Sequence, residues 1–124
     1  MSKRDKTIYW ITTGIVASLM LFNGIGYFTL PMMKESFVHL GFPNYFRIEL
    51  GIAKLLACVA LILPIVPKTI KIVAYVGLAI TFISAIVAHA SVGDGIERMI
   101  TPVIFLLVLL ISAKLYLKKE VSNN

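Results

Sequence analysis

Ile8–Leu30, IYWITTGIVASLMLFNGIGYFTL, runs for 23 positions without a charged side chain. As a helix rising about 1.5 Å per residue, it is long enough to cross the ~30 Å hydrocarbon layer of a bilayer with some tilt. Lys3, Arg4 and Lys6 precede it as in a secretory signal. The apolar run is longer than a signal's hydrophobic region and no A-x-A site follows, so the expectation is a helix that is retained. Gly14, Ser18, Asn23, Gly24 and Gly26 supply small residues against which another helix can pack closely.

Three further runs follow the same logic: Ile48–Val66, Ile72–Val92 and Met99–Leu117. The first of these is interrupted by Glu49 and Lys54 and closed by Pro64 and Pro67. Pro31 is expected to stop the first helix, and Met32–Arg47, with Gly41 and Pro43, to form a turn-rich loop. Of the 124 residues 59% are hydrophobic and 15% charged, with a mean hydropathy of +0.92, against roughly 25% charged in soluble domains. These values exclude a water-soluble globule, a disordered chain and a coiled coil. The expected architecture is therefore all-α: one membrane domain over 1–124, an integral four-helix bundle. The formal charge of +6 does not indicate nucleic acid, because the basic residues lie between apolar runs rather than along a solvated stripe.

Their distribution orients the chain. With four spans, one side holds eight basic residues (Lys3, Arg4, Lys6, Lys68, Lys71, Lys114, Lys118 and Lys119) and the other three (Lys34, Arg47 and Arg98). The positive-inside rule then predicts that both termini are cytoplasmic. In that topology Asn23, Tyr27, Arg47, Glu49, Lys54, Ser84, His89 and Arg98 all fall toward the outer side, which predicts a polar pocket opening outward. Glu49 and Lys54, five apart, do not share a helix face, whereas Arg47 and Lys54, seven apart, nearly do. Glu49 is thus expected to pair across helices with His89 or Arg98, and Lys54 to meet Asn23 or a ligand. Packing alone is the competing explanation for these groups. Cys58 is the only cysteine, which excludes dithiol chemistry within the chain. His39 and His89 are too few for a protein-only zinc site, and no metal is expected.

The stretch Phe37–Lys54, FVHLGFPNYFRIELGIAK, with the later ISAIVAHA and the turn GDG, resembles the DoxX-like family of small bacterial four-helix membrane proteins. The resemblance covers nearly the whole chain, with His39, Gly41, Pro43, Tyr45, Phe46, Arg47, Glu49, Leu50, Gly51, Lys54 and His89 as the matched positions. It implies a bundle in the bacterial inner (cytoplasmic) membrane. It also implies a setting in which some members of the wider group accompany quinol oxidase or thiosulfate:quinone oxidoreductase complexes, while many have no assigned reaction.

The leading expectation is an outer-leaflet pocket that binds an amphiphilic quinone-like or lipid-like molecule, in a membrane subunit of a redox complex. Arg47 and Lys54 would bond oxygen atoms of the ligand, and Glu49 and His89 would tune charge or carry a proton. No flavin, iron–sulfur or haem motif is recognisable, so no cofactor is expected in the chain itself beyond a bound quinone or lipid, and catalytic residues are not assigned. Expected partners are the lipid bilayer, membrane redox proteins and further copies of the chain in a homo-oligomer. A non-catalytic membrane scaffold, and a proton-coupled isomerase or transporter using Glu49, remain open alternatives.

Overall fold

The computed structural model describes residues 2–122, with side chains through residue 119. Among them are five helices and no strand: α1 (Lys3–Thr29), α2 (Pro31–His39), α3 (Asn44–Ile62), α4 (Lys68–Ser91) and α5 (Ile96–Ser122). Ser2 caps α1 by accepting the Asp5 amide hydrogen at 3.1 Å. Proline recurs at the helix starts. Pro43 and Pro67 are the residues before α3 and α4, and Pro31 is the first residue of α2, where its missing N–H costs nothing. Pro31 therefore ends one helix and begins another, and twelve residues of the expected 32–47 loop, 32–39 and 44–47, are helical. Gly41 (φ 83°) and Gly93 (φ 78°) adopt the left-handed backbone that turns the chain after α2 and after α4.

Neighbouring long helices run antiparallel. Along α1 and α5, Asp5 meets Lys118, Tyr9 stacks on Tyr116 and Thr13 bonds Ser112 at 2.6 Å. On α4 and α5, Tyr75 bonds the same Ser112 at 2.7 Å and Phe82 packs on Phe105. α1 and α3 approach closely through glycine: a Cβ at Gly24 would come within 2.7 Å of the Leu55 side chain and 3.1 Å of the Gly51 carbonyl oxygen. The start of α1 and the end of α5 consequently lie at one end of the bundle, and α2, the start of α3 and the α4–α5 turn at the other.

The core joins Tyr9, Val16 and Met20 of α1, Ala57 and Leu61 of α3, Tyr75, Leu78 and Phe82 of α4, and Leu109 and Tyr116 of α5. The outer surface is apolar too. Phe22, Leu56, Val73 and Leu107, one on each long helix, are exposed by 60%, 65%, 64% and 56%. In water this surface would drive aggregation; against lipid it costs nothing.

Three helices, α1, α4 and α5, are long and apolar enough to cross a membrane. α3 differs from the expectation of four equivalent spans. It has 19 residues, but Arg47, Glu49 and Lys54 lie among them. Arg47 and Lys54 are buried beside α1, while Glu49 is exposed.

Candidate functional site

Helix ends create the local demands that place the basic side chains. The last carbonyls of an α-helix have no amide partner within it. At the end of α1, Arg47 reaches back from the first turn of α3, its Nη1 donating to the Tyr27 carbonyl and its Nη2 to Asn44 Oδ1 at 2.7 Å. At the end of α3, Lys71 donates to the carbonyls of Ala60 and Leu61 at 2.9 and 3.1 Å. Both cations sit where the helix dipole favours positive charge. Arg47 is thereby occupied in holding α1 to α3 and does not border the cleft described next, contrary to the ligand-binding role expected of it.

Two turns further along α3 the situation changes. Lys54 is 7% exposed and points into a cleft of about 1050 Å³ formed by all five helices. Its Nζ donates to Tyr27 Oη at 2.5 Å and lies 4.6 Å from the centre of that ring. Among the described residues Lys54 forms no ion pair. Beside it on the cleft wall, Asn23 turns its amide N–H back to the Leu19 carbonyl at 2.8 Å, and its Oδ1 accepts no hydrogen bond from the described residues. Leu50, Phe46, Phe82 and Phe105 provide apolar wall, and α2 closes one side through Phe37, whose ring meets Tyr27 edge-on at 4.9 Å.

The cleft mouth is tied by a single carboxylate. His39, the last residue of α2, bonds Asp94 Oδ1 through Nε2 at 2.8 Å, and His89, near the end of α4, bonds Oδ2 through Nδ1 at 2.6 Å. Asp94, in the α4–α5 turn, keeps only 9% of its side chain exposed. Hydrogen bonds from His89 and then His39, with the charges of His39 and Arg98 adding, hold its carboxyl below the usual 3.8. Ser84 and Arg98 also face the cleft. Pro102, buried in α5 and part of the same wall, has no N–H to give the Arg98 carbonyl, so that oxygen lacks its usual helical partner beside the cleft.

Six of the eight residues singled out from sequence border this one cleft: Asn23, Tyr27, Lys54, Ser84, His89 and Arg98. Arg47 and Glu49 do not. The expected pairing of Glu49 with His89 or Arg98 is replaced by the His89–Asp94 bond, because Glu49 falls on the face of α3 turned away from the bundle. Asp94 was the residue sequence reasoning missed: five positions after His89 in a glycine turn, it reads as ordinary turn chemistry. Its available signal was its spacing from His89 across the end of α4. Among the described residues no group of three or more His, Cys, Asp or Glu side chains is arranged to hold a metal ion.

The arrangement suits noncovalent binding: apolar walls, a buried cationic donor, a tyrosine hydroxyl and an amide oxygen at one place, and a polar mouth. No curated protein and no solved structure matches the chain. The DoxX-like family does, over residues 11–112, a match that takes in every residue lining the cleft, and the chain belongs to that family.

Proposed function

We propose that this integral membrane protein binds an amphiphilic small molecule, quinone-like or lipid-like, in the cleft between its five helices. The observation that carries the proposal is Lys54. A buried ammonium in a membrane protein is costly and normally finds a counter-charge, yet this one meets a neutral phenol and faces a cleft large enough for a ligand. A carbonyl or anionic oxygen on the ligand would take the remaining ammonium hydrogens. Tyr27, accepting from Lys54, still has its own O–H to donate, and Asn23 Oδ1 can accept from a hydroxyl. The apolar tail would lie along Leu50, Phe46, Phe82 and Phe105.

In this reading all four long helices cross the membrane, and the end bearing the termini, rich in Lys and Arg, is cytoplasmic. The cleft then opens toward the outer leaflet of a bacterial inner membrane. The side chains at the cleft bind, orient and exchange hydrogen bonds, so with a quinone as ligand the electrons would come from a membrane redox partner.

The test is extraction of bound molecules from wild-type protein and from Lys54→Met, purified identically in mild detergent, with lipids and quinones identified by mass spectrometry. Wild type is expected to retain an amphiphile in near-stoichiometric amount that the variant loses. Equal retention, or none in either, overturns the proposal.

A further inference from the structure

At the opposite end of the molecule from Lys54, where the start of α1 meets the end of α5, lies a second and much smaller cleft of about 130 Å³. This volume equals the space of about four water molecules, enough for one phosphate group and little more. Lys68 and Lys71 reach it from the first turn of α4, and Lys119 from the end of α5, while Tyr9, Trp10 and Tyr116 supply aromatic walls. Lys71 is 5% exposed. Two of its ammonium hydrogens go to the Ala60 and Leu61 carbonyls, and an ammonium carries three, so one has no hydrogen-bond acceptor among the described residues. Lys119 stands close enough for its charge to repel that of Lys71. Asp5, an acid at this end, is taken by Lys118 at 2.5 Å.

Like charges gathered around a small space are stabilised by an anion placed between them, and the surroundings say which kind. Trp10 is 40% exposed at the end of a long apolar helix, the position where tryptophan and tyrosine settle at the level of lipid headgroups. Basic pockets between helices at that depth suit anionic headgroups. We propose that Lys68, Lys71 and Lys119 bind the phosphate group of an anionic phospholipid, with Trp10 and Tyr116 against its glycerol region. This site is separate from the Lys54 cleft and stands or falls independently of it.

Trp10 is the only tryptophan in the chain, so its fluorescence reads the site directly. The protein would be placed in phosphatidylcholine bilayers containing a fixed fraction of acyl-brominated phosphatidylglycerol or acyl-brominated phosphatidylcholine, and quenching compared. Wild type is expected to favour phosphatidylglycerol severalfold, with each of Lys68→Gln and Lys119→Gln reducing that preference by about fivefold or to parity, whichever comes first. Lys71 is left intact because it also holds the end of α3. Lys3→Gln and Lys6→Gln remove the same charge from the same end without touching the cleft and are expected to keep the preference. If they lower it as much as the cleft variants do, only general surface attraction is at work and the site is refuted. No preference in wild type refutes it as well. In a second arm, detergent-solubilised protein is titrated with inorganic phosphate against chloride at matched ionic strength, with no saturable change expected in Trp10 emission. A saturable change would make free phosphate the ligand and overturn the lipid assignment.

Discussion

Substituting Lys54 separates stability from binding in a way that a merely structural lysine would not. Its ammonium has one hydrogen-bond acceptor among the described residues, Tyr27 Oη, and it is 7% exposed. Lys54→Met keeps the length and most of the volume of the side chain while removing a buried charge that no carboxylate compensates among the described residues, which relieves the desolvation cost of the ammonium. Tyr27→Phe does the reverse. It keeps the ring under the ammonium but strips the oxygen, at an expected cost of about 1.5–3 kcal/mol, the range for hydrogen bonds to charged groups. In the Lys54→Met background the same Tyr27→Phe change removes a hydroxyl with no ammonium to meet, and its cost should fall below about 0.5 kcal/mol, giving a coupling energy close to the full single-mutant value. Reversible unfolding by SDS in mixed micelles, followed by Trp10 fluorescence, measures all four corners of this cycle. The expected pattern is a Lys54→Met protein at least as stable as wild type that no longer retains its amphiphile. A Lys54→Met protein destabilised by more than about 1 kcal/mol, with Tyr27→Phe silent, would refute the reasoning and make Lys54 a packing element.

Asp94→Asn leaves one amide oxygen where two imidazoles had a carboxylate, so faster hydrogen exchange is expected across α2 and the start of α5, with the far end of the bundle unchanged. A carboxyl depressed in the folded state contributes stability above its unfolded value near 3.8 and loses it as pH falls through the lower folded value; wild type should show that acid-dependent loss and Asp94→Asn should lack it. Gly24→Ala should destabilise by about 1–3 kcal/mol by forcing a methyl against Leu55 and the Gly51 carbonyl. Gly77→Ala, facing open space in mid-helix, should stabilise by about 0.5–1 kcal/mol, and SDS unfolding compares the two. A cysteine introduced at Ser2 in a Cys58→Ala background, itself expected to behave like wild type, should resist membrane-impermeant thiol reagents in intact cells; labelling there would place the termini outside and invert the cleft.

The membrane class, the all-helical fold and the approximate limits of the long helices follow from the sequence itself. Hydropathy and helix length accumulate residue by residue, and lipid leaves an isolated apolar stretch no alternative to satisfying its own backbone. Helical spacing also reached part of the site. Arg47 and Lys54, seven apart, are buried on one face of α3, while Glu49 lies on another.

Rotation and register lay beyond it. Which face of α3 turns inward is decided by the close approach of Gly24 and Gly51, a property of two helices together, and that contact sends Glu49 outward. Proline's local signal is ambiguous, since Pro31 terminates α1 and starts α2 with the same geometry. The separation of Arg47, which caps α1, from Lys54, which faces the cleft, depends on where the end of α1 falls against α3. The joining of His39, His89 and Asp94 depends on contacts spanning 55 residues. Those contacts exist only after α2 folds over the cleft, because hydrogen-bond partners are fixed by position in space, whereas the apolar pattern that selects a membrane helix is written along the chain.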